Sequence, residues 1–387
     1  MSQEFPDPLA MSRALEVARR GLGRVSPNPP VGAVLVAGAD AERRAEGWHQ
    51  FHGGNHAEVN CLEAAREAGI DPRGADLYVT LEPCAHHGKT PPCAEAIIDA
   101  GIARVVVSAD DPNPITSGKG YEQLSAAGIE VVRGFLAEDG KWLIAGYLCH
   151  VRNSRPLVTA KWAMTADGRI ACAGGDSHWI TCEETRTATR AARSEVDAIL
   201  VGVGTVISDD PQLTARTAER PEPLRIVVDP NCRTPEKASL FEETTPVLIY
   251  CAAGTETTAA AQALRNRGAE VVAVNAASGS ISIVHMLADL ATRGVQDLLV
   301  EGGADTHGRF LDADLVDRVQ ILVAPKVVGG RTAPGPIGGE GISRMEFAHE
   351  IRACRWRELG PDRVLEGAIS AAGSGDEVGT KTTSQRG

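Results

Sequence analysis

The residues with the clearest chemistry are a histidine and two cysteines in the first quarter of the chain. His56 and Glu58 stand in a His-Ala-Glu sequence, Cys84 follows a proline, and eight residues separate Cys84 from Cys93. One imidazole and two thiolates can bind Zn²⁺ and leave its fourth position open, as a catalytic zinc site requires. A water in that position has its pKa lowered to about 7. Glu58, near the start of a helix-like pattern, is placed to move protons without binding the metal.

Zinc-dependent nucleobase deaminases use this set of groups, with a glutamate as the proton carrier. In that class two residues usually separate the cysteines, whereas eight separate them here. We interpret the longer segment as a loop that folds back and brings Cys93 to the metal at the start of its own helix.

A competing ligand pair is formed by His52 and His56, which are four residues apart. This spacing binds metal when both side chains lie on one helix, but Gly53 and Gly54 between them disfavour a helix. We therefore expect the other nearby histidines to line a pocket or the surface: His49, His52, His86 and His87.

With these residues in place, the chain resembles the bifunctional deaminase–reductases of riboflavin biosynthesis. In the first half the resemblance rests on SPNPPVG (26–32), the segment 49–58, VTLEPCAHHGKTPPC (79–93) and DPNP (111–114). In the second half it rests on KWAMTADGRIA (161–171), SHWIT (177–181), GVGTVISDDPQLTAR (202–216) and VEGGADTHGRF (300–310). The long interval between the cysteines belongs to the same pattern.

The resemblance implies two consecutive reactions on one small-molecule substrate. The 2-amino group of 2,5-diamino-6-ribosylamino-4(3H)-pyrimidinone 5′-phosphate would be hydrolysed with zinc. NADPH would then reduce the ribosyl chain to ribityl, giving 5-amino-6-ribitylaminouracil 5′-phosphate. By position, His56, Cys84 and Cys93 match the zinc ligands, and Glu58 matches the proton carrier. The positions that match dinucleotide contacts are Ala163, Trp179, Thr205, Asp209, Gly303, Ala304, Asp305, Thr306, His307, Gly308 and Arg309. Those that match substrate contacts are Ser177, Arg193, Leu213, Arg216 and Glu301.

Apart from the resemblance, the second half contains a glycine pair directly after a strand-like run. Gly302 and Gly303 follow residues 298–300, where N–H groups at the start of a helix can bind an anion such as pyrophosphate. The Gly-x-Gly-x-x-Gly pattern of ordinary dinucleotide-binding domains does not follow the first strand. We expect residues 202–204 to form a tight turn or a second edge of the phosphate site, and residues 209–211 to form a turn or helix start.

Three cations of the second half are candidates for substrate chemistry. Arg193 and Arg216 can each offer two donors to the 5′-phosphate. Lys161, at the end of a strand-like run, is a candidate for protonating the ribose ring oxygen. For each of them a structural or solvated role stays open at this point.

Short apolar runs alternate with helical patterns through both halves, which indicates an α/β protein. We expect a cytidine-deaminase-like three-layer α/β/α domain at 1–150, and a polar stretch, 150–156, at its end. For residues 151–369 the resemblance implies a dihydrofolate-reductase-like α/β domain. Residues 370–387 carry almost no large apolar groups and are expected to be a disordered tail.

Composition restricts the classes of partner. The net charge is −12 and only 4% of the 387 residues are aromatic, so we expect no nucleic-acid partner. We also expect no membrane partner, because no apolar run reaches the roughly 18–20 residues of a membrane helix. The first residues do not resemble a signal peptide, and nine scattered cysteines favour reduced thiols in the cytoplasm. A homo-oligomer is expected, because α/β reductase domains of this kind often pair through an edge strand.

Two alternatives make different predictions. A polynucleotide deaminase with an appended domain would bind tRNA or single-stranded DNA, and the acidic balance opposes it. A zinc-stapled binding protein would hold its metal with four protein ligands and would not turn over substrate.

Overall fold

The computed structural model describes residues 5–38, 43–86, 91–217, 220–242, 245–275 and 281–370. The chain divides into two compact units, the first spanning Met1–Arg152 and the second beginning at Asn153. The stretch 150–156, expected to be a polar boundary, is helical as far as Asn153. The tail expected at 370–387 lies, apart from Ser370, outside the described residues.

The first unit is built around one sheet of five strands. The strands are Gly32–Val36 (β1), Arg44–Trp48 (β2), Asp76–Leu81 (β3), Arg104–Ala109 (β4) and Glu130–Val132 (β5). The helices are Pro8–Ala18 (α1), Ala57–Glu67 (α2), Cys93–Asp99 (α3), Lys119–Ala126 (α4), Ala137–Leu143 (α5) and Ala145–Asn153 (α6). The strand order is β2–β1–β3–β4–β5, with β1 antiparallel to both neighbours and β3, β4 and β5 parallel.

Alternating strand residues divide the core of this unit between the two faces of the sheet. Leu35 and Val107 pack with α2, α3 and α4 on one face. Val34 and Val106 pack with α1 on the other, as the two-residue period of a strand requires. The three-layer α/β/α arrangement expected from the sequence is confirmed.

The first helix shows how local sequence sets these elements. The Asp7 carboxylate accepts a hydrogen bond from the N–H of Leu9 at 2.9 Å, and Pro8 occupies the first helical position. A capping carboxylate satisfies a free N–H, and proline is suited to that position because it has no N–H to lose. These two residues therefore set the start of α1.

The second unit contains a nine-stranded sheet. Its strands are Leu157–Thr165 (β6), Ala198–Gly202 (β7), Leu224–Val228 (β8), Val247–Ala252 (β9), Ala269–Val274 (β10), Asp297–Val300 (β11), Arg318–Ala324 (β12), Glu350–Leu359 (β13) and Asp362–Ser370 (β14). Its helices are Glu183–Ala192 (α7), Val203–Asp209 (α8), Ala259–Asn266 (α9), Ile283–Thr292 (α10) and Ala304–Asp312 (α11). The order is β10–β9–β8–β7–β11–β6–β12–β14–β13, parallel from β10 to β12, with β13 and β14 antiparallel at one edge.

Helices cover both faces of this sheet. Leu200 and Ile226 pack with α10 and Phe310 of α11, whereas Ile199 and Val227 pack with α8 and α9. In the described part of the chain, no helix has the length and apolar character needed to cross a bilayer.

Two local expectations in this unit are wrong. Residues 202–204 do not form a tight turn, because Gly202 is the N-cap residue of α8 and Val203 begins the helix. Asp209 is the last residue of α8 rather than the start of a turn or helix, and Asp210 ends the helix in the left-handed conformation (φ 43°). Its side chain accepts hydrogen bonds from the N–H and hydroxyl of Ser239, both at 2.8 Å, which hold this helix end.

Candidate metal centre and reductase site

Three elements of the first unit bring the predicted metal ligands together. His56 is the N-cap residue of α2, Cys84 lies just beyond β3, and Cys93 is the first residue of α3. An N-cap side chain usually accepts a hydrogen bond from its own helix, but His56 makes no such bond. Its ring lies beside the two cysteines instead. The folded-back loop expected between the cysteines is consistent with this placement, although His87, Gly88, Lys89 and Thr90 lie outside the described residues.

The geometry of these three side chains fits a zinc ion. The Nδ1 atom of His56 lies 3.2 Å from Cys93 Sγ and 3.5 Å from Cys84 Sγ. The three ligand atoms all lie within 4.8 Å of one another. Zinc bonds of about 2.0 Å to nitrogen and 2.3 Å to sulfur in a tetrahedron place such atoms about 3.6 Å apart. His52 and His86 are not in this cluster, so the competing ligand pair is not formed.

Glu58 lies on the first turn of α2 beside the cluster and is only 3% exposed. Burial raises the pKa of Glu58 to about 6, although the charge of His56 acts to lower it. The hydrogen bond between the two thiols lowers the pKa of Cys84 to about 4 and raises that of Cys93. The site therefore combines two thiol ligands with a buried carboxyl group that is suited to exchanging protons near neutral pH.

A cavity of about 360 Å³ opens above these groups. His49 lies in its wall, with Nδ1 2.9 Å from the Asn55 carbonyl and Nε2 3.0 Å from the Asn28 side-chain amide. Burial lowers the pKa of His49. A neutral ring that donates from Nδ1 accepts at Nε2, so His49 orients the amide of Asn28. The expectation that His49, His52 and His86 lie at a pocket is confirmed.

Asp111, Asn113, Glu82 and Tyr147 also line the cavity, and sequence reasoning did not predict them as site residues. The Tyr147 hydroxyl donates to Asp111 Oδ1 at 2.9 Å, and the N–H of Asn113 donates to the same oxygen at 2.9 Å. The N–H of Asp111 donates to Glu82 Oε2 at 3.4 Å. One sequence signal could have found the first of these residues. Loops at strand ends carry binding groups, and polar residues stand here in proline-rich segments just after strands. Tyr147 had none, since it comes from α6, which was not predicted.

The start of α4 fixes the position of Cys84 through a close backbone contact. A Cβ atom on Gly120 would lie 2.0 Å from the carbonyl oxygen of Pro83. The backbone next to the metal ligand therefore packs directly against the helix, and only glycine leaves room for it.

We expect Gly120→Ala to weaken Zn²⁺ binding by about 10- to 100-fold, the range for residues that orient metal ligands. The cause is a displaced Pro83 carbonyl, which moves Cys84. Competition with a chromophoric chelator measures the affinity. Gly174→Ala is the matched control, because a Cβ there meets nothing within 4 Å. Equal zinc affinity in the two variants would contradict this role of Gly120.

The second unit contains a buried ion-pair cluster at the end of β11. The Glu301 carboxylate accepts two hydrogen bonds from Arg193, at 3.0 and 2.8 Å, and lies 3.5 Å from the Lys161 ammonium group. Burial acts to raise the pKa of Glu301, but the charges of Arg193 and Lys161 outweigh it and lower the pKa to about 2. The cluster therefore holds one anion and two cations away from bulk solvent.

The contacts of Arg193 bear on its expected phosphate role. Besides the Glu301 pair, its guanidinium donates to the Thr214 carbonyl at 3.0 Å. Arg216 is exposed and donates to the Gln212 side chain at 2.7 Å. Of the two arginines, Arg216 has the more accessible guanidinium, whereas that of Arg193 is bonded to Glu301 and to the Thr214 carbonyl.

Gly302 and Gly303 follow β11 as expected and lead into α11, whose N-cap is Gly303. A Cβ on Gly302 would lie 2.8 Å from the Gly202 nitrogen, so this glycine lets the ends of β7 and β11 approach. The Gly303 N–H donates to Thr205 Oγ1 at 3.0 Å. The N–H groups of Ala304 and Asp305, at the first two helical positions, are therefore the donors suited to an anion.

The other expected dinucleotide and substrate residues lie in strands, helices and loops of the same unit. Ala163 is in β6, and Leu213 is buried after α8. Asp209 accepts from the Ser208 hydroxyl at 2.8 Å, and Ser177 lies in the loop before Trp179. Trp179 is 60% exposed, and the Arg186 guanidinium lies 4.5 Å from its ring centre. An exposed indole with one face against a cation keeps its remaining surface for a ligand.

Two protein-family models match parts of the chain. The model described as the cytidine and deoxycytidylate deaminase zinc-binding region matches residues 6–109. The model described as the RibD C-terminal domain matches residues 156–365.

Full-length relatives are also similar to the chain. "Riboflavin biosynthesis protein RibD" of Actinobacillus pleuropneumoniae is 39% identical over 356 residues, which is 92% of this chain and 93% of the relative. The protein of that name from Bacillus amyloliquefaciens is 39% identical over 370 residues, covering 95% and 98%. The crystal structure of a diaminohydroxyphosphoribosylaminopyrimidine deaminase/5-amino-6-(5-phosphoribosylamino)uracil reductase from Thermotoga maritima is 37% identical. The match covers 94% of this chain and 98% of the chain in that crystal structure, with a TM-score of 0.80.

Proposed function

Because the chain belongs to the RibD family and is a bifunctional deaminase and reductase of riboflavin biosynthesis, we propose its substrates and the role of each site residue. The first unit deaminates 2,5-diamino-6-ribosylamino-4(3H)-pyrimidinone 5′-phosphate, and the second reduces the ribosyl chain of the product with NADPH. The proposal rests on one observation: His56, Cys84 and Cys93 lie together with the buried Glu58 at one cavity.

Deamination exchanges the 2-amino group for oxygen and releases ammonia, with water as the other reactant. His56, Cys84 and Cys93 would hold a zinc ion, which would lower the pKa of the attacking water. Glu58 accepts a proton from that water and delivers it to the departing amino group. Its burial next to the ligands holds the carboxyl group at the reacting centre and raises its affinity for the proton it must carry.

The cavity wall supplies the groups that orient the pyrimidine. The Asn28 amide, held by His49, and the Asn113 side chain offer donors and acceptors to a heterocycle that carries both. Asp111, fixed by Tyr147, accepts from amino groups of the substrate. These three residues extend the site predicted from sequence.

Reduction adds a hydride to C1′ of the ribosyl group and a proton to the ring oxygen that is released. The N–H groups of Ala304 and Asp305 at the start of α11 would hold the pyrophosphate of NADPH, which would supply the hydride. The dinucleotide is bordered by four further residues, which are Trp179, Ala163, Thr205 and Asp209.

The charge cluster supplies the proton. Glu301 fixes Lys161 and Arg193, and we assign Lys161 as the proton donor because its ammonium group lies at this cluster. Arg216 binds the 5′-phosphate, and the other substrate contacts are Ser177, Arg193, Leu213 and Glu301.

The wider setting is also a proposal. We assign the enzyme to the cytoplasm, as a homo-oligomer that takes a small-molecule substrate and no nucleic acid. The nine cysteines all lie in the described residues and form no disulfide there, which fits a reducing compartment. Size-exclusion chromatography with light scattering tests the oligomer, and a gel-shift assay with tRNA tests the polynucleotide alternative.

The direct test is incubation of the purified chain with the diaminopyrimidinone substrate, with and without NADPH, followed by mass analysis of the products. We expect deamination alone without NADPH, and both conversions with it. Substrate returned unchanged under both conditions, by protein loaded with zinc, would contradict the assignment.

Cys84→Ser separates the two reactions. We expect this variant to lose zinc and to release no ammonia, because a neutral hydroxyl is a far weaker zinc ligand than a thiolate. NADPH oxidation with pre-deaminated substrate should stay within about twofold of wild type, since α11 and the Glu301 cluster belong to the other unit. Loss of both reactions in a variant with wild-type circular dichroism would show that the sites are not independent.

A further inference from the structure

His307 has an unusual environment for a buried imidazole. It lies on the first turn of α11 and is 4% exposed. Its Nδ1 lies 3.1 Å from the Pro336 carbonyl oxygen, and its Nε2 lies 3.1 Å from the Val300 carbonyl oxygen. A neutral imidazole carries one N–H, so it can donate to only one of these oxygens. Both contacts are hydrogen bonds only when the ring carries two protons.

The groups around the ring set how firmly the second proton is held. Burial lowers the pKa of His307, and the nearby Lys161 ammonium adds to this effect, whereas the two carbonyls and the Glu301 carboxylate oppose it. The positive end of α11 disfavours a second proton as well. The Trp162 ring, 5.7 Å away on β6, is uncharged. Without a bound anion, one ring nitrogen therefore faces a carbonyl oxygen without a proton between them.

The two carbonyls belong to the parts that shape the start of α11. Val300 ends β11, and Pro336 lies in a segment packed closely on the helix. The Gly338 N–H donates to the Ala304 carbonyl at 2.9 Å, and a Cβ on Gly308 would lie 2.3 Å from the Gly338 backbone. A doubly protonated His307 thus ties the strand end, the helix and the packed segment together.

We propose that His307 is a positioning residue that takes up a proton when a dinucleotide binds at the start of α11. This inference rests on the proposed NADPH site. The pyrophosphate brings negative charge to the helix start, which offsets the helix dipole and the Lys161 charge. The second proton, taken from solvent, then completes the bond to the second carbonyl.

Linkage fixes the sign of the effect. If dinucleotide binding favours the proton, the proton favours dinucleotide binding by the same factor. Affinity for the dinucleotide should therefore rise as pH falls. We expect binding to be about five- to tenfold tighter at pH 6 than at pH 8 through this residue, the lower part of the range for coupled sites.

The experiment is calorimetric titration of the full-length protein with NADP⁺ at several pH values, in buffers of low and high ionisation enthalpy. Wild type should take up a fraction of a proton on binding. The 2′-phosphate of NADP⁺ titrates in the same range, so the result is the difference between wild type and His307→Gln. The variant keeps one amide donor and has no titrating ring. His285→Gln is the matched control, because His285 is exposed on α10.

A steeper pH dependence and a larger proton uptake in wild type than in His307→Gln support the proposal. A variant whose affinity falls equally at all pH values would show a structural role only and would overturn it. If wild type does not bind NADP⁺, the result would contradict the proposed cofactor site and, with it, this inference.

Discussion

Glu58→Gln should lower the rate of ammonia release by about 10²- to 10⁴-fold, the range that a positioned proton carrier contributes. The amide has nearly the same shape but cannot accept the proton of the attacking water. The variant should remain folded. Burial already disfavours the charged carboxylate, so replacing it by a neutral amide removes no stabilising charge. Ammonia release by zinc-loaded protein, measured with a coupled enzyme, gives the rate.

Three measurements make this result specific. Zinc content should equal that of wild type, because Glu58 is not among the three ligands. NADPH oxidation with pre-deaminated substrate should be unchanged. Glu67→Gln, an exposed position on the same helix α2, should retain full deaminase activity. A Glu58→Gln rate within a few-fold of wild type would disprove the proton-carrier role.

The metal ligands could be predicted from sequence because their chemistry is local. A His-Ala-Glu at a helix start and a Pro-Cys after a strand place ligands where elements begin and end. The strand β3 and the helices α2 and α3 were recognisable from their apolar periodicity. Strand β2, residues 44–48, was not predicted. Its sequence, Arg-Ala-Glu-Gly-Trp, contains no large aliphatic residue, although its positions alternate between half-buried and buried.

The cavity residues that we propose to position the substrate depend on contacts between distant segments, which periodicity does not show. Tyr147 meets Asp111 across 36 residues, and its helix α6 was instead interpreted as the approach to a domain boundary. In the second unit, the resemblance implies that Arg193 and Glu301 both contact the substrate. The structure adds their mutual ion pair, which joins residues 108 apart in sequence and which no local pattern predicts.

The edge strands β13 and β14 were missed for a related reason. Most side chains of β13 are exposed, so the strand lacks the alternating apolar pattern by which half-buried strands are recognised. Its place in the sheet comes from pairing with β14, and β14 pairs in turn with β12. Such pairing depends on backbone hydrogen bonds that a single sequence does not specify.

Glu301→Gln should be the most damaging single substitution in the second unit. The amide leaves Arg193 and Lys161 buried without a counter-charge, which costs about 3–5 kcal/mol of the free energy of unfolding. Reduction should fall by at least about 10²-fold, because Lys161 loses the anion that holds it and small displacements at a reacting centre have effects of that size. Thermal unfolding and NADPH oxidation measure the two effects, with the exposed Glu236→Gln as control.

The pH dependence of the unfolding temperature shows that the charge of Glu301 causes the stabilisation. The folded pKa of Glu301, about 2, lies below the unfolded value of about 4.3, so its carboxylate stabilises the fold above that pH. This contribution is lost as pH falls from about 4.3 towards 2, and the gap in unfolding temperature between wild type and Glu301→Gln should narrow there. Combining Arg193→Met and Lys161→Met with Glu301→Leu should recover much of the stability, since replacing every member of a buried charge cluster by apolar side chains costs little. It should not recover the reductase activity. A gap that stays constant with pH, or a triple variant less stable than Glu301→Gln, would show that packing rather than the buried charge holds this site.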